Sequence, residues 1–322
     1  MSIRTILIDT DTASDDAVAL IMALRSPKVC VAAITIVAGN VVVEQGAQNA
    51  LYTAELCGSK APVYLGASKP LKRELQLADW FHGSDGMGDH HYTPSHRKPE
   101  TLPAVEAIIE TVRDHPGIEI ITLGPLTNLA LALQREPGIA ANISRCVVMG
   151  GAPCCEGNVT PAAEFNIWVD PDAARIVFLS GLPIEMVGWQ LSRHEAVLSA
   201  KDIAEIAALN TPFAEFAIEC NSTAAIGYAI QTGEHGISLP DPIAMSILLH
   251  PELCFASSMH FVEIETAGEL ARGMTLVDRL DVGGDARNER VWHEARSRAR
   301  QARICWKLDI DGWKTALRDA LS

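Results

Sequence analysis

Short aliphatic runs alternating with helical patterns constrain this chain more than any other feature. Ile3–Ile8 and Val29–Val37 (V-C-V-A-A-I-T-I-V) are nearly unbroken apolar runs, as expected of parallel strands buried on both faces. Between them, Asp15–Arg25 carries Ala, Val, Leu, Ile and Met at helical spacing and ends at Ser26-Pro27. The alternation continues with a helix over Val43–Cys57, a short strand at Pro62–Leu65, a helix at Leu102–Asp114 and a strand at Ile118–Leu123. After these come a helix at Leu126–Glu136, a strand at Cys146–Met149, a helix at Pro171–Ser180 and a strand at Pro183–Val187. This pattern predicts an α/β fold, a mostly parallel open sheet with helices on both faces. Such sheets bind ligands at the carboxyl ends of their strands. Asp9–Asp16, Gly39-Asn40, Leu123-Gly124 and Gly150-Gly151 are therefore the site candidates. No repeat or linker interrupts the chain, so residues 1–322 read as one domain. The longest loop, Gly66–Pro99, is rich in Gly, His and Asp, and loops of that size are usually lids or binding loops.

Charge narrows the partners. The chain has 26 Lys+Arg against 40 Asp+Glu, a formal net of −14. That balance argues against nucleic acid, because phosphate binding needs a basic surface, and it disfavours anionic membranes. No apolar run reaches a bilayer span of roughly 20 residues, and acidic residues arrive by Asp9, too early for a signal peptide. The cysteines show neither a C-x-x-C pair nor zinc spacing, and they read as buried reduced thiols of a cytoplasmic protein. Cys154-Cys155, in a Gly/Pro-rich loop, is the oddity. The expected partner is a small molecule.

Ile8–Asp16 (I-D-T-D-T-A-S-D-D) places Asp9, Asp11, Asp15 and Asp16 at a strand–helix junction. Ser14 or Asp15 could cap the helix. Capping leaves Asp9 and Asp11 unexplained, directly after a buried strand where like charges repel in low dielectric. A bound cation removes the conflict, and oxygen-only ligands favour calcium or magnesium over zinc. Such a metal lowers the pKa of a coordinated water whose proton an adjacent carboxylate can take, which points to a hydrolase. The strand–Asp-x-Asp start is shared with magnesium-dependent aspartyl phosphohydrolases of the haloacid dehalogenase type, whose first Asp is a nucleophile. Spacing alone does not separate the two, although no convincing downstream Lys and second acidic pair are present.

The remainder of the chain bears on that choice. The motif D-x-D-x-x-x-D-D resembles that of the nucleoside hydrolases, the inosine-uridine preferring family. Further matches follow in order: V-A-G-N (Val37–Asn40), H-G-x-D-G-x-G (His82–Gly88), G-P-L-T-N-L-A (Gly124–Ala130) and M-G-G (Met149–Gly151). G-N-V-T-P-A-A-E-F-N (Gly157–Asn166) and D-P-I-A (Asp241–Ala244) complete the set. The resemblance implies calcium-dependent hydrolysis of the N-glycosidic bond of ribonucleosides to ribose and free base. Asp11, Asp16, Asp241 and the Leu123 carbonyl would hold the calcium ion, and Asp11 would also be the general base on the metal-bound water. Asp15, Asn158, Glu164 and Asn166 would bind the ribose hydroxyls, with Asn40 near metal and sugar. Relatives of this kind are usually dimers or tetramers, so a homodimer or homotetramer is expected.

The chemistry of the residues agrees with these roles. N-ribosyl cleavage develops positive charge on the sugar, which carboxylates and amide oxygens stabilise. If E-F-N at 164–166 is extended, Glu164 and Asn166 share one side while Phe165 points elsewhere. The chain departs from the pattern at Pro240, where many relatives have a histidine that protonates the leaving base. His82, His235 and Tyr228 are candidates for that task. A non-enzymatic ribonucleoside-binding protein is the alternative that the missing histidine suggests. Trp80 and Phe165 could stack the base, worth about 1–3 kcal/mol, which leans toward purine nucleosides. His90, His91 and His96 read as exposed loop residues, Glu263 and Glu265 as the solvent face of an edge strand, and Trp189 as core or rim.

Overall fold

Period-two burial shows first in β1 (Arg4–Thr10), where Ile6 and Ile8 enter one apolar cluster and Leu7 the other, all fully buried. The computed structural model describes residues 3–322; Met1 and Ser2, included in the predicted domain, lie outside the described residues. The other strands are β2 (Val29–Ile36), β3 (Val63–Leu65), β4 (Ile118–Thr122), β5 (Ile143–Met149), β6 (Ile184–Val187), β7 (Cys254–Ile264), β8 (Thr275–Val277) and β9 (Arg300–Leu308). They join in one sheet of order β3-β2-β1-β4-β5-β6-β9-β7-β8. Every pair from β3 to β9 is parallel. β7 runs antiparallel to both β9 and β8. Helices Ser14–Arg25, Val43–Leu56, Pro240–Leu249 and Ile310–Leu321 cover one face; Ala104–Asp114, Thr127–Arg135 and Pro171–Leu179 cover the other. The fold is the mostly parallel α/β sheet that the alternation predicts.

β1 positions the site. It lies between β2 and β4, so the chain builds outward through β2 and β3, then returns to build the other side from β4. The loops after β1 and β4 diverge at this switch point and open a crevice at the carboxyl ends. Helix Asp79–His82, inside the long loop, closes over it. That loop is tied down by Leu71 N–H donating to Asp170 (2.8 Å) and by Arg97 donating to the carbonyls of Ser59 (2.9 Å) and Ala61 (2.7 Å).

Local readings differ from the structure in three places. E-F-N is not extended: Glu164 caps the helix Phe165–Val169 by accepting from the N–H groups of Asn166 and Ile167. V-E-I-E is not at an edge, because β8 pairs outside β7, and Glu263 is held by Arg175 (2.8 Å) and Arg298 (3.1 Å) rather than solvated. Glu265 turns back to accept from the N–H groups of Ala267 and Gly268. The cysteines are all free, but Cys30 and Cys154 are exposed, since Cys30 points outward at the start of β2 and Cys154 sits in a positive-φ loop. Among the described residues no helix is long and apolar enough to cross a membrane.

Candidate active site

The turn after β1 is strained in order to place Asp11. Thr12 has φ +30°, an unfavourable conformation for a β-branched residue. Its N–H donates to Thr10 Oγ1 (3.0 Å), and Asn49 Nδ2 donates to its carbonyl (2.9 Å). Two glycines leave room for the Asp11 carboxylate. A Cβ on Gly39 would lie 2.1 Å from Oδ2, and one on Gly124 2.7 Å from Oδ1. The Asn40 N–H donates to Oδ2 (2.5 Å), whereas Oδ1 is buried without a partner.

Around Asp11 the other acids converge. The carboxylates of Asp15, Asp16 and Asp241 offer oxygens within 4.8 Å of one another. Asp16 accepts from Thr10 Oγ1 (2.5 Å) and from the Ala13 N–H (2.9 Å), so it alone does the capping expected of Ser14 or Asp15. Asp15 Oδ1 is buried and unpartnered. Asp9 lies behind, accepting from Thr35 (2.6 Å) and Asn128 (2.8 Å), while its backbone carbonyl accepts from the Leu123 N–H (2.8 Å).

Burial pushes these acids up. Asp9 rises to about 7, and so does Asp16, where Asp15 adds its repulsion. Asp11 and Asp241 are pushed well above the carboxylate range by burial, then by Asp16 for the former and Asp15 for the latter. Among the described residues no Lys or Arg lines the cleft to neutralise them. Buried carboxylates this close together, with orphan oxygens on Asp11 and Asp15, are the arrangement that a hard divalent cation with oxygen ligands resolves.

The sugar-side candidates come from the loop after β5 and from the helix Phe165–Val169. Glu164 accepts from the Gly151 N–H (2.8 Å) as well as from its own helix, and burial raises its pKa. Asn166 Nδ2 donates to the Leu123 carbonyl (2.7 Å), which keeps a second lone pair. Asn158 Oδ1 accepts from the Phe165 N–H (2.9 Å). Asp15, Asn40, Leu123, Asn158, Glu164, Phe165, Asn166 and Asp241 all line a single cleft.

Aromatic rings line the cleft around His82. Trp80, 60% exposed, stands edge-on to Phe81 with centroids 5.4 Å apart, and Phe165 and Trp189 also line the cleft. His82 is buried, with Nδ1 2.9 Å from Ser14 Oγ and 3.9 Å from Asp15 Oδ1. Burial lowers its pKa, and the nearby Asp15 opposes that shift. Pro240 also lines the cleft, in the first turn of the helix that carries Asp241.

The structure does not bring Tyr228 or His235 to the cleft. Tyr228 is fully buried against Trp189, with its hydroxyl on Glu234, and His235 is exposed. His90, His91 and His96 are exposed, as expected. Sequence reasoning missed Ser14 as the partner of His82. It also missed Phe81, Asn221, Gln231 and Ser238, which line the cleft. Those last three come from the helix-rich stretch after β6, where no strand end marks a site.

The model of the inosine-uridine preferring nucleoside hydrolases matches residues 6–315. The chain belongs to this family. Among its relatives is a pyrimidine-specific ribonucleoside hydrolase RihA of Shewanella sp. (strain MR-7), 42% identical over 99% of this chain and 96% of the relative. A probable uridine nucleosidase 1 of Oryza sativa subsp. japonica is 38% identical over 85% of each chain. Two solved structures share the fold: a plant nucleoside hydrolase (TM-score 0.91, 32% identity) and a purine-preferring ribonucleoside hydrolase from Gardnerella vaginalis (TM-score 0.86, 29% identity). Each match covers 99% of both chains. This nucleoside hydrolase is thus a glycosidase acting on the N-glycosyl bond of ribonucleosides, from a metal-dependent family.

Proposed function

We propose that this nucleoside hydrolase cleaves pyrimidine ribonucleosides with a calcium ion held by Asp11, Asp16, Asp241 and the Leu123 carbonyl. The observation that carries the reading is the cluster of buried acids, with orphan oxygens on Asp11 and Asp15 and no Lys or Arg among the described residues that line the cleft. When bound, calcium supplies the charge that holds the ribose diol and acidifies water.

The chain's own residues do the rest. Asp11, whose proton affinity burial raises, takes the proton of the attacking water. Asp15, Asn158, Glu164 and Asn166 bind the ribose hydroxyls, with Asn40 beside them, and their oxygens stabilise the positive charge that grows on the sugar. His82 serves the departing base. We assign Ser14 Oγ as the donor in its 2.9 Å contact with Nδ1, which leaves the ring proton on Nε2 to donate toward the base. The lowered pKa of His82 makes it a neutral donor at pH 7 rather than an imidazolium acid.

Pyrimidines are favoured because the relatives at 42% and 38% identity bear pyrimidine and uridine names. That choice replaces the lean toward purines drawn from Trp80. We propose a homodimer or homotetramer in the cytoplasm, where buried unpaired thiols such as Cys146 and Cys220 stay reduced. The test is release of reducing sugar from uridine, cytidine, inosine, adenosine and guanosine with calcium present. No release from any of them sinks the catalytic reading; a higher kcat/KM on purines sinks only the base assignment.

A further inference from the structure

Away from the cleft, a row of charges crosses the sheet. Arg4 on β1 pairs with Glu119 on β4 (2.8 Å), and Arg145 on β5 pairs with Glu185 on β6 (2.6 Å). Arg145 also donates to the carbonyls of Ile247 and Leu248 (3.1 Å each), which fixes it at the end of helix Pro240–Leu249. Arg145 thus holds Glu185 Oε2, while Oε1 turns toward β9, 3.5 Å from Cys305 Sγ. Cys254, at the start of β7, completes the group. The ligand atoms of Glu185, Cys254 and Cys305 lie within 4.8 Å of one another. Cys305 is fully buried and Cys254 half-buried, so the group has one side toward solvent.

Strand register separates the two things a close thiol pair can do. Cys254 pairs with Leu308, whereas Cys305 pairs with Ser257. The position opposite Cys254 is therefore three residues along β9 from Cys305, and the register shifts between Cys254 and Ser257 draw the two thiols together without setting them directly opposite. A disulfide tolerates Cα atoms no more than about 7 Å apart. The sulfurs meet only because the side chains lean together, and two metal–thiolate bonds of about 2.3 Å can bridge such a gap.

We propose that Glu185, Cys254 and Cys305 form a second cation site, for a thiophilic divalent ion of the zinc type. Soft thiolates select such an ion over calcium, and the acidic cleft does the reverse. Binding releases both thiol protons. The two thiolates and the Glu185 carboxylate are then balanced by the divalent ion and the Arg145 guanidinium. Arg145 orients the carboxylate as an outer partner. The ion would clip the antiparallel β7–β8 extension to β6 of the parallel sheet.

The test titrates cadmium into the calcium-saturated full chain and follows the ultraviolet thiolate-to-cadmium band. A stoichiometric band that zinc competes away is expected, retained when the exposed Cys30 and Cys154 are changed to Ser and lost in Cys254→Ser. Zinc should also slow alkylation of Cys254 in the unsubstituted chain, which requires no variant to fold. A band that survives Cys254→Ser, alkylation of Cys254 that zinc does not change, or a Cys254–Cys305 disulfide formed by diamide in the native chain would overturn the proposal.

Discussion

Asp11 and His82 both lie near the Asp15 carboxylate, yet they are held by different means. On the Asp11 side the carboxylate is gripped by backbone: the Asn40 N–H, two glycines with no room for a side chain, and a strained turn at Thr12. Each of these belongs to the end of a central strand or to the loop just beyond it. On the His82 side the groups hang from the long loop and from the helix Ser222–Thr232, with Trp80 largely in solvent. On the proposed roles, chemistry common to every ribonucleoside is committed to the strand ends and discrimination among bases to loops that can vary without disturbing the fold.

The sharpest way to break this division is to remove the cation. Chelation should abolish turnover and leave the acids facing one another uncompensated. Asp9 and Asp16 then hold protons in the folded chain up to about pH 7, against an ordinary 3.8. Their stabilising contribution is complete below about 3.8 and is lost as pH rises through about 7. The Tm of the chelated protein should therefore fall between these pH values, and saturating calcium should suppress that fall. A Tm indifferent to both pH and calcium would remove the cation from the acidic cluster. Asp11→Asn keeps the shape between Gly39 and Gly124, and kcat should drop by about 10³-fold, within the range for loss of a general base. Activity within tenfold (~1.4 kcal/mol) of the parent would exclude Asp11 from that role.

A smaller effect is expected at His82. His82→Ala should lower kcat on uridine by about 10²-fold. It should leave nearly unchanged the cleavage of a nitrophenyl riboside, whose leaving group needs no proton. The pH profile separates neutral donor from imidazolium acid. Because the pKa of His82 lies below its usual 6.5, an imidazolium acid would lose rate as pH rises through that lowered value. A neutral donor keeps its rate on the alkaline side. Ser14→Ala should lower kcat on uridine, by less than His82→Ala, and spare the nitrophenyl riboside, since Ser14 acts through Nδ1.

The same division explains what could be read from sequence. β1, β2, β4, β5 and β6 announce themselves as apolar runs, and the residues after β1, β2 and β4 follow from the rule that sites lie at carboxyl ends. That rule places Asp11, Asp16, Asn40 and Leu123 just beyond those strands, where the structure has them. Asn221, Gln231 and Ser238 were not legible, because they reach the cleft through helix packing after β6, where no local pattern points to a site. Tyr228 and His235 show the converse. Nearness in sequence to Asp241 suggested the site, but helical geometry turned Tyr228 toward Trp189 and left His235 in solvent. The extended reading of E-F-N failed because Glu164 satisfies two orphan N–H groups of a helix that five residues suffice to form.

Trp80 offers the finest test of the comparison and carries the smallest expected effect. Its ring lines the cleft yet is 60% exposed, and it leans edge-on against Phe81 rather than sandwiching a base from a buried position. A stacked base is worth about 1–3 kcal/mol where the aromatic contact is complete. Half-solvated, Trp80 should give the lower end of that range, so Trp80→Ala should raise KM by about tenfold or less and leave kcat within about twofold. A pyrimidine exposes less stacking face than a purine. If pyrimidines are the preferred substrates, the KM penalty should therefore be larger for inosine than for uridine, and the variant should be more selective than the parent. An equal loss on both would make Trp80 an anchor of the loop rather than a reader of the base. A fall in kcat as large as that of His82→Ala would show that the loop positions the leaving-group donor, and the two sides would then be one machine.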